Sequence, residues 1–429
     1  MQLLSSRRWR AAAASAVALG LVLTGCSAEE TFTYTPPAQV DGTLPDEMTA
    51  QMQAAVDNAI AASGSTAAIV GVWAPWSGQW VTATGSQEPG GETPVDVEMT
   101  FRIADITRLM TCDVLYALVD EGTVALDAPV TDYVSGVADL KDSGITLVDL
   151  CNGSSGIGSS EETVKGAWQN TPDRVWAPLE LASYGLARDR TDPRATYRDS
   201  DAGYLLLGLA LERAAGMTAS ELISEYVTDP LGLPNTSLPS VAAAPPSSGP
   251  VLNGHWLNPV EGGYNCAAPV DITTLSSSTG FTDSGVVSTV ADLGRYVQAE
   301  AAQALRTEDE PNRFGAPLPA YEGADSWYQA TGGGFIVGSM IGQQGWTPGY
   351  ATAAYSDPTS GFTVVVVLNN STTGANIAQP LAWELAAIGS KAPAAEGQTA
   401  PEFGLPFTAE QYHQAISERA IACVEPPVE

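Results

Sequence analysis

The sequence predicts an α+β fold, an antiparallel sheet flanked by helices with an all-α lobe set into it. Two observations carry this expectation. Strand-like apolar runs fall near the start of the globular part, over 67–73 and 79–84, and return late, over 335–341 and 362–368 with 350–355 between them. The stretch between these groups instead carries apolar residues at helical spacing. A sheet of five or more strands assembled from both chain ends, with a helical lobe inserted, satisfies that order.

The elements follow one by one. Residues 48–62 have the periodicity of an amphipathic helix. The runs over 67–73 and 79–84 read as a hairpin turned around Pro75 to Gly78. A Pro/Gly-rich loop spans 87–97, and a helix begins near Asp105 and stops at Gly122. Helices are predicted over 203–216 and 219–227, and 239–249 is a low-complexity loop. Residues 377–388 read as a helix, and 392–429 as an added tail with a short helix over 408–422.

The N-terminus reads as an export address. Arg7, Arg8 and Arg10 precede an apolar stretch over 11–23, too short to span a membrane as a helix. That stretch runs into Leu23-Thr24-Gly25-Cys26, which has the form of a bacterial lipobox, with Cys26 as the acylated residue; a plain secretory signal is the alternative. The expected organisation is a signal over 1–25, an acylated Cys26 and flexible tether over 26–43, a main domain over 44–390 and an extension over 391–429. The expected location is the outer face of the bacterial cell membrane, held there by lipid. The net charge of −31, from 18 basic and 49 acidic residues, argues against nucleic acid and against a basic membrane-docking patch. Beyond Cys26 lie four cysteines, Cys112, Cys151, Cys266 and Cys423; an even number in an exported chain suggests disulfides, with three pairings open. With no C-x-x-C and only His255 and His413, neither a metal site nor a cofactor is expected.

The phrase that carries chemistry is Phe101-Arg102-Ile103-Ala104-Asp105-Ile106-Thr107-Arg108. Further phrases accompany it in order: 118–130 (LVDEGTVALDAPV), 145–156 ending in Ser155-Gly156, Gly203-Tyr204-Leu205-Leu206-Leu207-Gly208, Asp229-Pro230-Leu231-Gly232-Leu233, Gly285-Val286-Val287-Ser288-Thr289 and Gly345-Trp346-Thr347-Pro348-Gly349-Tyr350. Over roughly 44–388 the chain resembles the class C β-lactamase and DD-peptidase-like family, related to penicillin-binding proteins. The resemblance implies a β-lactamase/transpeptidase-like fold. It also implies a disulfide between Cys112 and Cys151, since that fold packs their helices together, leaving Cys266 and Cys423 as the second pair.

The resemblance breaks at the reactive positions. Family members place an acylated Ser and a Lys three residues on, where this chain has Asp105 and Arg108. The Tyr-Ser-Asn motif maps to Asp199-Ser200-Asp201, with Tyr197 two residues earlier, and the Lys- or His-Thr-Gly motif maps to Gln343-Gln344-Gly345. Acyl transfer needs a nucleophile that forms a stable ester and a base to take its proton. Arginine holds its proton too tightly to serve as that base, and a carboxylate would yield an anhydride. Asp105, at a helix start, is placed to cap exposed N–H groups, and the mapped motifs would bring Asp105, Asp199 and Asp201 around Arg108. Three acids against one base leave a surplus, to be met by a protonated carboxyl or a bound cation. The family's oxyanion hole uses backbone N–H groups, here those of Asp105 and Trp346, which side-chain changes leave in place.

The expectation is a catalytically degenerate lipoprotein serving as a binding or scaffolding module, with peptidoglycan peptides or an envelope protein as partner. Asp105, Gln344, Gly345 and Trp346 are the binding-cleft candidates. The alternative is a hydrolase rewired around Asp105, Asp199 and Asp201. Two Asp-Ser-Gly triplets, 142–144 and 283–285, are what an aspartic protease requires, but the helix-rich pattern is wrong for that fold. Gly153-Ser154-Ser155-Gly156 lacks nucleophile-elbow spacing, and neither histidine lies near a motif.

Overall fold

The structure, a computed structural model, describes residues 34–137, 140–306, 312–402 and 404–424. The expected export signal and Cys26 lie outside the described residues. Among the described residues no helix is long and apolar enough to cross a membrane.

One eight-stranded antiparallel sheet organises the fold, built from β1 (Ala67–Ala74), β2 (Gly78–Gly85), β3 (Leu318–Pro319), β4 (Tyr328–Thr331), β5 (Gly334–Val337), β6 (Met340–Thr347), β7 (Tyr350–Ser356) and β8 (Thr363–Leu368). The spatial order is β2-β1-β8-β7-β6-β5-β4-β3, so the two chain ends meet where β1 pairs with β8, Val70 opposite Val366. β8 is buried along its whole length. The period of two divides it: Val364, Val366 and Leu368 enter one core while Val365 and Val367 enter the other. Helices cover both faces, which is why these central strands are continuously apolar rather than alternating.

One face is covered by α1 (Asp46–Ser63), α8 (Ala378–Gly389) and α9 (Ala409–Glu418). The opposite face meets α2 (Thr107–Asp120) and α7 (Val290–Ala301), beyond which lie α3 (Leu147–Cys151), α4 (Glu161–Asn170), α5 (Pro178–Leu186) and α6 (Asp201–Ala215). This is the antiparallel sheet with an inserted helical lobe that the element order predicts.

Three local readings need correction. The run over 335–341 is not one strand: Gly338 adopts φ +64°, and the chain reverses there between β5 and β6. The helix predicted over 408–422 is shorter, with Thr408 capping it through Gln411 N–H. The tether is not free from residue 34 onward. Val40 N–H donates to Pro75 O (3.0 Å), and Leu44 and Gln79 exchange backbone bonds with the segment beside them, adding it to the β2 end of the sheet.

Both disulfides form, Cys112–Cys151 between α2 and α3 and Cys266–Cys423 at the end of the extension.

Candidate functional site: an arginine among carboxylates

The site begins at a backbone irregularity. Ala104 has φ +53°, a left-handed conformation unusual for a residue with a Cβ. It opens a 3₁₀ turn over Ala104–Ile106 that leads into α2 and projects Asp105 toward β6. Asp105 lies so close to β6 that a Cβ on Gly345 would stand 2.2 Å from its Cγ. Glycine is therefore the only residue that fits beneath this side chain. The carboxylate does not cap the helix, contrary to expectation; it turns to Arg108, one helical turn on, at 3.3 Å.

Arg108 is buried and holds three acids. Its Nη2 meets Asp105, its Nη1 donates to Asp199 at 2.7 Å and its Nε donates to Asp283 at 2.8 Å. The guanidinium also lies 4.8 Å from the centre of the Tyr204 ring. Planar fork geometry lets one arginine do this where a lysine would offer a point charge.

Asp283 takes the place expected for Asp201. Segment 282–288 is sewn to the nucleophile-position strand and helix: Ile103 N–H donates to Val286 O, Val286 N–H to Thr107 Oγ1, and Thr111 Oγ1 to Thr282 O. These bonds deliver Asp283 to Arg108. Asp201, the first residue of α6, points elsewhere. It accepts from Ser160 N–H (2.7 Å), Ser159 Oγ (2.9 Å) and Ser160 Oγ, and so ties down the loop before α4. Tyr197 is half-buried with its ring on Phe335 (5.4 Å). Its phenol is pushed well above its ordinary range by burial and by Asp199, with Arg108 opposing.

Burial works against ionisation of the surplus acids. Burial pushes the Asp105 carboxyl well up, with Arg108 opposing and the neighbouring carboxylates reinforcing. Burial likewise raises Asp283 to about 6. At the cleft mouth, burial and then Asp199 raise Glu161 to about 7, while Lys165 opposes. Beside it lies a pocket of about 260 Å³ lined by Ser159, Glu161, Arg188, Arg198 and Asp199. Among the described residues, no group of three or more His, Cys, Asp or Glu side chains is arranged to hold a metal ion.

Strand β6 supplies the other wall. Gln343 is buried; its amide donates to Gly333 O (2.7 Å) and its Oε1 accepts from Gln344 N–H (2.8 Å). Gln344 is corrected as a cleft candidate, because strand alternation sends its side chain to the opposite face. There it donates to Tyr328 Oη (3.0 Å) and accepts from Tyr355 Oη. β5 pairs with β6 only as far as Gly342, whereas β7 pairs with it through Thr347. The edge of residues 343–347 thus lacks a strand partner on the cleft side, and since Gln344 N–H points that way, Trp346 N–H does too. Trp346 reaches the helical lobe: Lys165 Nζ lies 4.2 Å over its ring and Trp168 6.5 Å from it.

A sheet edge facing the start of a helix that bears paired functional positions three residues apart is the architecture of the penicillin-recognising serine hydrolases. The family profile described as Beta-lactamase matches residues 52–387, and the chain belongs to that family. Among curated relatives, the D-alanyl-D-alanine-carboxypeptidase/endopeptidase AmpH of Escherichia coli is 30% identical over 158 residues, which are 36% of this chain and 40% of that protein. The match thus spans well under half of the relative's length. A D-stereospecific amidohydrolase from Streptomyces sp. superposes with TM-score 0.64 at 20% identity, covering 76% of this chain and 95% of that one. A penicillin binding protein from Bacillus halodurans gives 0.60 at 18%, covering 76% and 97%. At such identities the superpositions speak for the fold.

Proposed function

We propose that this protein is a β-lactamase-family binding module that does not carry out acyl transfer, and that it is held by lipid at Cys26 on the outer face of the cell membrane. The observation that carries the reading is the grip of Asp105, Asp199 and Asp283 on Arg108. The position of the family's base is occupied by a group that stays protonated, and the position of its nucleophile by a buried carboxyl turned to it. What remains is the edge of β6 beyond its pairing with β5, where Gln343 Oε1 takes the Gln344 N–H and the Trp346 N–H is left to receive an extended peptide. A peptidoglycan peptide is the ligand this reading favours, in keeping with the D-alanyl-D-alanine specificity in the name of the relative.

A second reading, a rewired hydrolase, draws on Glu161 at about 7 and Asp283 at about 6, values suited to acid–base work near neutrality. Incubation with fluorescent penicillin, a chromogenic cephalosporin and a panel of esters separates the two. The binding module gives neither covalent labelling nor turnover. Labelling or turnover that disappears in Asp105→Ala would overturn it.

A further inference from the structure

The extension beyond the family match builds a second pocket, on the sheet face opposite the cleft. The match ends at residue 387, and α9 lies after it, across α8. The extension is fastened at both ends. Trp76 Nε1 donates to Ala392 O (2.7 Å) and Ala395 N–H to Trp76 O (2.9 Å). At the far end Ile421 N–H donates to Ala62 O (3.0 Å), and Cys423 is joined to Cys266.

Between α8, α9 and the loop entering β4 lies a partly open pocket of about 300 Å³. Its walls are aromatic. Trp327 and Trp383 stand edge to face at 5.7 Å, Tyr412 lies 5.1 Å from Trp383, and Tyr321 stands at the cavity 58% exposed. Trp383, Tyr328 and Tyr412 are buried against one another, which leaves half-buried Trp327 and exposed Tyr321 to offer ring faces to an occupant. The polar groups among them are mixed. Gln379 donates to Tyr328 Oη at 2.7 Å. The side chains of Gln411 and Asp325 have no hydrogen-bond partner among the described residues, and both line the cavity. Arg419 lines it too and donates to Asn376 O (3.2 Å).

We propose that this pocket binds a neutral pyranose ring of a glycan. One carboxylate and one guanidinium leave the site without net charge, so neither a cation nor an anion is favoured. Carboxamides carry donor and acceptor side by side, matching adjacent hydroxyls. Aromatic faces pack on the C–H faces of a sugar ring, and the cavity is near the lower limit for small-molecule sites, the scale of a single ring. The site is independent of the cleft chemistry, since it uses a segment outside the family match.

The test is saturation-transfer NMR on the full chain, with N-acetylglucosamine and chitotriose as probes and tetramethylammonium chloride as the comparison. The expected result is transfer to the sugar ring protons, with affinity weakened about fivefold or more in both Tyr321→Ala and Gln411→Ala. Both side chains are exposed, so their removal leaves the melting temperature unchanged. Val175→Ala, equally exposed on the helical lobe, leaves binding as it was. No transfer to either sugar, transfer that survives both substitutions, or transfer to tetramethylammonium alone overturns the proposal.

Discussion

At Arg108 a single guanidinium answers three carboxyls, and the consequence is a pH dependence of stability. Asp283 rises from an ordinary 3.8 to about 6 on folding. Between those values the folded protein keeps a proton that the unfolded chain has released. Stability contributed by this group is therefore full below about pH 4 and is lost as pH climbs to about 6. Asp283→Asn retains an oxygen for Arg108 Nε and removes the titration. Denaturant unfolding at pH 4.5 and pH 7 is expected to show a smaller fall for the variant than for the unsubstituted chain; an equal fall refutes the assignment. The pair Asp105 and Arg108 was legible in the sequence because a three-residue spacing on a helix fixes neighbours. Asp283 was not, because its arrival depends on bonds between segments some 175 positions apart. Asp201 was misread for a related reason: motif register gives a position in the chain, not the direction of a side chain at the first turn of α6.

Among the elements, β6 is the strand that joins cleft to back. Gly345 faces Asp105 while Gln344 joins Tyr328 and Tyr355 on the other side. A period of two, applied to 343–345, was enough to predict that Gln343 and Gln344 part company; treating the motif as a unit concealed it. Behind α2, Arg313 clamps the structure by donating to Leu109 O (2.7 Å) and Gly332 O (2.8 Å) and by pairing with Asp113 and Glu300. The extension is held differently, by a cross-link that closes a loop of 157 residues. Cys266→Ser with Cys423→Ser is expected to cost about 2–4 kcal/mol. It should also speed tryptic cleavage at exposed Arg419, read by mass spectrometry over a time course; unchanged cleavage would mean that α9 is held by packing alone. The pairing itself followed from the family resemblance, since four cysteines alone leave three choices.

For the molecule as a whole, the order of apolar runs was the reliable signal. Two early strands and a late group could close one sheet only by meeting, and β1 does pair with β8. The eighth strand count was out of reach because β3 is two residues long and β4 only four, too short for periodicity to register. The proposed lipid anchor is tested on the whole chain. Metabolic labelling with a palmitate analogue should mark the protein in the membrane fraction, and Cys26→Ser should lose both label and sedimentation with membranes. Label persisting in that variant refutes the lipid anchor.

The fit of Asp105 over Gly345 bears on inheritance. The glycine is held in place by the bulk of its neighbour, whatever reaction that neighbour does or does not perform. Serine shares the β-carbon that stands over it, so a lineage could exchange aspartate and serine at position 105 in either direction without first rebuilding the strand. A residue that outlasts its motif in this way records a steric debt between two segments, and its persistence in a descendant says nothing about whether the ancestral reaction survives.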